Sequence, residues 1–157
     1  FATGMRVSEL SNLLKKNINI KKGVINIIGK GDKERIIQIC DINVKNALSD
    51  YHSLFKNDIL KNDYFFINKW NNTLSEQSVR FMIKKYSEKA NLKKHITPHV
   101  FRHSFATALL EENIDIRYIQ KILGHSSVVT TQIYTKVNSK QQKKILATKH
   151  PRRHFHI

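Results

Sequence analysis

Apolar residues along this chain recur at two periods, and the change of period divides it into elements. Val7, Leu10 and Leu13/Leu14 fall at helical spacing behind Gly4, which predicts a helix over 6–14. Alternation then takes over: runs at 24–28 and 35–39 read as strands joined by G-K-G-D-K-E, whose two glycines and aspartate suit a tight hairpin turn or bulge. With the residues from 18 onward they predict a three-stranded antiparallel meander over 18–39. A helix follows over about 42–56. The stretch D-Y-F-F-I at 63–67 fits either a buried strand or an extended connection, and Ser75 ahead of Val79, Met82 and Ile83 opens a helix that runs to about residue 89.

The last third holds four more predicted helices. Thr97 is a good N-cap and Pro98 suits the first helical position, so a helix opens there with His99 and Arg102 three residues apart on one face. Phe101, Phe105 and Leu109 fall on a different face and are expected to be buried. Asp115 caps a helix with Ile116, Ile119, Ile122 and Leu123 apolar, and Gly124 stands where helices end in a left-handed residue. His125 therefore leaves from a turn. Ser126 or Ser127 can cap a further helix carrying Val128 and Ile133, with Tyr134 in it or at its end, beside Lys136. A short helix at 141–147 closes the pattern; residues 149–157 have no periodicity and are expected to form a flexible basic tail. No internal repeat is present.

Charge changes the picture. Lys and Arg number 28 against 12 Asp and Glu, a formal +16, and an excess of that size favours a polyanionic partner. The 157 residues, 40% of them hydrophobic, suffice for a single core and one domain. Residues 1–16 lack the continuous apolar run of a signal peptide, and no segment is long and apolar enough to span a membrane. Cys40, the one cysteine, excludes an internal disulfide and reads as a small hydrophobe after the strand, which fits a reducing cytoplasm. A chain that begins on Phe1 reads as a fragment.

Several side chains combine chemistry with placement. A guanidinium at Arg102 offers a planar fork to two phosphate oxygens, and an imidazole one turn away, at His99, can move a proton at neutral pH. Arg6, in T-G-M-R-V-S-E-L, supplies a second fork. Glu9, three residues on, either holds that fork in place or is a solvated surface carboxylate. Lys30 sits at the hairpin tip, long and exposed. His99 and His103 are also spaced as a zinc pair, but Val100 stands where a zinc hydrolase needs its glutamate and no cysteine or carboxylate cluster accompanies them. His103 then reads as a structural hydrogen-bonding residue.

These residues carry a resemblance. Arg6 with Glu9, Lys30, His99 with Arg102, His125 and Tyr134 occur in the order and spacing of the tyrosine recombinases of the phage-integrase family. The wording R-V-S-E-L, G-K-G-D-K-E-R, T-P-H-V-F-R-H-S-F-A-T and L-G-H-S is most similar to the Xer-type members. The resemblance covers about residues 2–147 with no departure at the seven positions. It implies an α+β, mainly α, catalytic domain over 1–148: helices with a small three-stranded antiparallel sheet. Family members carry a separate helical DNA-binding domain ahead of the first arginine, and only five residues precede Arg6 here.

The resemblance also implies a reaction. Tyr134 attacks the scissile phosphate to give a 3′-phosphotyrosine and a free 5′-hydroxyl, and a partner's 5′-hydroxyl reverses the step on a new strand. Arg6 and Arg102 bind the non-bridging oxygens, with a further hydrogen bond from His125; His99 is the candidate base, Lys30 the candidate acid, and Glu9 an orienting group. No cofactor or metal is needed. The implied partner is double-stranded DNA, on which the family assembles as a tetramer at synapsis from protomers that are monomeric in solution, in a prokaryotic cytoplasm at the nucleoid. Two DNA-binding classes compete with this reading: a type IB topoisomerase, which uses similar side chains but fits L-G-H-S followed by tyrosine less well, and a non-catalytic DNA-binding module. A metal-dependent nuclease is disfavoured because no paired carboxylates lie near the histidines.

Overall fold

Gly4 and Arg6 start the first helix, and a competing backbone pairing stops it early. The structure, a computed structural model, describes residues 1–28, 34–124 and 139–150. Helix α1 spans Val7–Ser11, shorter than the 6–14 expected from periodicity. The reason lies downstream: Leu13 O accepts from the Phe65 amide at 2.7 Å and the Lys15 amide donates to Asp63 O at 2.9 Å, so residues 13–15 leave the helix to pair with 63–65. D-Y-F-F-I is thus an extended connection held by isolated bridges at Leu14–Tyr64 and Ile67–Thr73, and a 3₁₀ turn at Lys15–Asn17 leads into the sheet.

The predicted meander forms. Strands β1 (Ile18–Asn19), β2 (Val24–Ile28) and β3 (Glu34–Gln38) lie in the order β1-β2-β3, all antiparallel, with Ile25 opposite Ile37 and Ile27 opposite Arg35. Alternation puts Ile25, Ile27, Ile37 and Ile39 on one face, and all four are buried with Leu13 and Phe65 in a first apolar cluster. Helix α2 (Ile42–Leu54) covers this cluster with Val44, Leu48 and Tyr51, its first turn capped by the Asp41 carboxylate accepting from the Val44 amide; α3 (Lys56–Leu60) follows directly.

A second apolar cluster is built by the C-terminal helices. Ser75 caps α4 (Glu76–Lys89), Thr97 caps α5 (Pro98–Glu111) and Asp115 caps α6 (Ile116–Leu123), each through a side-chain oxygen accepting a first-turn amide. Phe105 and Leu109 of α5, Ile119, Ile122 and Leu123 of α6, and Leu146 of α7 (Ser139–Lys149) pack together. Phe101 does not join them. It is partly exposed and, with Met82, Tyr86 and Leu92, lines an open apolar groove between α4 and α5. The helix expected after Ser126 lies outside the described residues. Lys149 and His150, expected to open the tail, are held in the fold: α7 includes Lys149, whose ammonium donates to Glu112 O at 2.7 Å, and His150 is buried with Nε2 2.7 Å from Ala2 O and its ring against Phe105. A ring with an apolar neighbour and a carbonyl partner is worth ordering. Among the described residues no helix is long and apolar enough to cross a membrane.

Candidate active site

The two clusters meet at a knot of arginines, and two glycines allow it to close. Gly4 has φ +60°, and a Cβ there would lie 2.5 Å from the Phe105 ring, so only glycine lets the N-terminal segment lie this close to α5. Its carbonyl then accepts from Arg102 Nη1 at 2.6 Å. The other arm, Nη2, donates at 2.7 Å to Leu123 O, a carbonyl that the end of α6 leaves without a helical partner. Gly124, at φ +67°, turns the chain in the left-handed conformation expected of it, and its carbonyl accepts from Arg6 Nη2 at 2.9 Å. Arg6 and Arg102 therefore grip successive carbonyls, immediately before His125.

Among the described residues Glu9 is the single carboxylate in this knot, and its side chain is only 9% exposed, which removes the surface reading. It accepts four hydrogen bonds: from the Arg6 amide (2.7 Å), Arg6 Nη1 (2.9 Å), Arg35 Nη1 (2.9 Å) and Arg35 Nη2 (2.7 Å). The first closes α1 as half of a capping box. The last two form a bidentate guanidinium–carboxylate pair. Burial pushes the Glu9 carboxyl up, but the hydrogen bonds and charge of Arg35, with those of Arg6, hold it below the usual glutamate value. Burial also acts on Arg102, with Arg6 and Arg35 adding repulsion and Glu9 opposing it; the guanidinium is pushed down to about 10 and stays cationic at neutral pH. Three guanidiniums against one carboxylate leave a positive centre, whose most open member is Arg6, with 41% of its side chain exposed.

The remaining expected residues divide into two groups. His99 is exposed on the first turn of α5, one turn ahead of Arg102 as the spacing predicts. Lys30, His125 and Tyr134 lie outside the described residues. The hairpin carrying Lys30 is bounded by the paired residues Ile28 and Glu34. Arg35 was not singled out as Glu9's partner, although the sequence carries a signal: it stands in phase with Ile37 and Ile39, on the face of β3 that turns inward. Among the described residues no three or more His, Cys, Asp or Glu side chains gather in a group able to hold a metal.

Comparison with known proteins gives this arrangement its class. The family model described as "Phage integrase family" matches residues 1–141, and the chain belongs to that family. A tyrosine recombinase of Agathobacter rectalis is 53% identical over 157 residues, covering 100% of this chain and 51% of that protein. The crystal structure of XerA recombinase superimposes with a TM-score of 0.75 at 40% identity, over 92% of this chain and 53% of that one. XerH site-specific recombinase bound to difH substrate, in a pre-cleavage complex, gives a TM-score of 0.71 at 29% identity, over 94% of this chain and 43% of that one. The mainly helical fold with its three-stranded antiparallel sheet is thus that of tyrosine recombinase catalytic domains. The chain spans about half the length of the relatives it matches.

Proposed function

We propose that this chain is the catalytic domain, residues 1–148, of a site-specific DNA recombinase that cleaves and rejoins strands through a 3′-phosphotyrosine intermediate. The observation that carries the reading is the convergence of Arg6 and Arg102, 96 positions apart in sequence, on the adjacent carbonyls of Gly124 and Leu123. In this reading the Tyr134 hydroxyl gives its proton to His99 as its oxygen attacks phosphorus. The 5′-oxygen leaves with a proton from Lys30, and the phosphodiester energy is kept in the tyrosyl ester. Arg6 and Arg102 stabilise the charge that grows on the non-bridging oxygens, His125 adds a hydrogen bond to the same oxygens, and Glu9 orients Arg6. No cofactor takes part.

Double-stranded DNA is the proposed partner. The +16 charge supports it, as does the difH-bound complex of the XerH relative. Assembly as a tetramer on DNA from free monomers, and a prokaryotic cytoplasmic site at the nucleoid, are part of the same proposal. The test is incubation with nicked suicide duplexes carrying candidate sites, the difH sequence among them, read on a denaturing gel. A protein–DNA adduct that survives a chelator and disappears in Tyr134→Phe, with DNA affinity within a few-fold of the parent, is the expected result. An adduct that persists in Tyr134→Phe assigns the nucleophile to another residue.

A further inference from the structure

Arg35 has no part in the chemistry proposed above, yet it bonds Glu9 and lies against Gly124, the same two residues that Arg6 contacts. Strand alternation sets it directly opposite Ile27 on the inward face of the sheet, where its side chain is 12% exposed. Both arms of its fork are spent on the two oxygens of Glu9, at 2.9 and 2.7 Å. Its side chain lies close against Gly124: a Cβ on that glycine would meet Arg35 Nη1 at 2.7 Å and Cζ at 3.0 Å.

From this geometry we infer that Arg35 is a positioning residue for strand cleavage: its fork fixes the Glu9 carboxylate and through it the Arg6 guanidinium. The inference rests on the function proposed above. A carboxylate held by two parallel bonds cannot rotate about its own axis, so Glu9 presents fixed lone pairs to the Arg6 amide and to Arg6 Nη1. Arg6 cannot perform this service for itself, because much of its side chain is open to solvent. A lysine at 35 would supply the charge at one point without the plane. Among the described residues the groups that face Glu9 are Arg6, the N-cap of α1, and Arg35 from β3, with Arg102 of α5 close enough to feel the same charges. Two of those three are the arginines assigned to the phosphate, so a displaced carboxylate shifts the cation that binds it.

The test measures single-turnover adduct formation at saturating nicked duplex, together with duplex affinity, for the parent, Arg35→Ala, Arg35→Lys, Glu9→Gln and the double variant Glu9→Gln/Arg35→Lys. Arg35→Lys is expected to lose ~10- to 100-fold in rate, the scale of removing an orienting partner, with affinity within a few-fold of the parent. The double variant is expected to be no slower than Glu9→Gln alone, because Arg35 acts through Glu9. Arg35→Ala should lose at least as much as Arg35→Lys; should it fail to fold, the lysine variant and the double variant still decide. A parental rate in Arg35→Lys, a loss confined to affinity, or losses that add in the double variant would overturn the inference. If the parent forms no adduct on any duplex, the recombinase reading fails and this inference falls with it; a parental adduct with an unaffected Arg35→Lys sinks this inference alone.

Discussion

On the sheet side of the molecule the guanidinium of Arg35 rests both arms on a carboxylate; on the helical side the guanidinium of Arg102 is buried with both arms on backbone carbonyls. The two groups are chemically identical and enclosed, but their charges are treated differently. Glu9 cancels a unit of charge on the sheet side, and the resulting pair is an anchor for its neighbours. Carbonyl dipoles satisfy the N–H groups of Arg102 without cancelling its charge, so its field remains for an anion. The fall of Arg102 to about 10 registers this: burial, then Arg6, then Arg35, outweigh the attraction of Glu9. Each of Nη1 and Nη2 also keeps a second hydrogen beyond the one given to a carbonyl. Anchoring and presentation are thus divided between the two clusters.

Glu9→Gln should break the comparison most severely, since it leaves three guanidiniums facing one another with no carboxylate. Breaking an enclosed ion pair by removing one partner costs about 4 kcal/mol, and urea unfolding should show a loss of that order. Gly4→Ala attacks the seam itself. It combines a left-handed backbone with a Cβ driven onto Phe105 and Leu123, and about 3 kcal/mol should be lost in the same measurement. Acid should reproduce part of the Glu9→Gln effect. Because the folded carboxyl lies below its unfolded value of ~4.3, the Glu9 contribution is complete above that value and is lost as pH falls through the lower, folded one. The stability gap between parent and Glu9→Gln should therefore narrow on acidification below pH ~4 and stay constant from there to neutrality. The smallest effect belongs to the exposed pair Arg80–Glu76, at 2.8 Å on α4: Arg80→Ala should cost about 0.5 kcal/mol or less, although that bond is as short as those to Glu9.

Much of this was legible in the chain. Alternation fixed the sheet and its buried isoleucines, and Ser75, Thr97, Asp115 and Gly124 marked helix ends that the structure reproduces. What spacing could not supply was the identity of a neighbour. Periodicity assigned Phe101 to the face of Phe105, but its ring stands edge-on to Phe1 and lines the open groove between α4 and α5, where it stays partly exposed. Likewise the i, i+3 relation exposed the Arg6–Glu9 pair, whereas Arg35, 26 positions from Glu9, is joined to it only by the tertiary fold. Arg102 read as a free fork. Its two carbonyl partners are 98 and 21 positions away, and one of them is reached only because Gly4 has no side chain. The burial of His150 depends in the same way on Ala2, at the opposite end of the chain.

The central claim is that Arg102 is held by carbonyls so that its charge and fork can act on a phosphate, and Arg102→Lys tests it most directly. The ammonium keeps the cation and one carbonyl bond but loses the planar pair. With folding checked by thermal unfolding, the single-turnover rate of adduct formation on a nicked duplex is the quantity to measure. The account predicts a fall of ~10²-fold or more, the scale of losing one charge-stabilising donor in the transition state, with duplex affinity within a few-fold of the parent. A parental rate in Arg102→Lys would contradict it and reduce the arginine knot to a structural device.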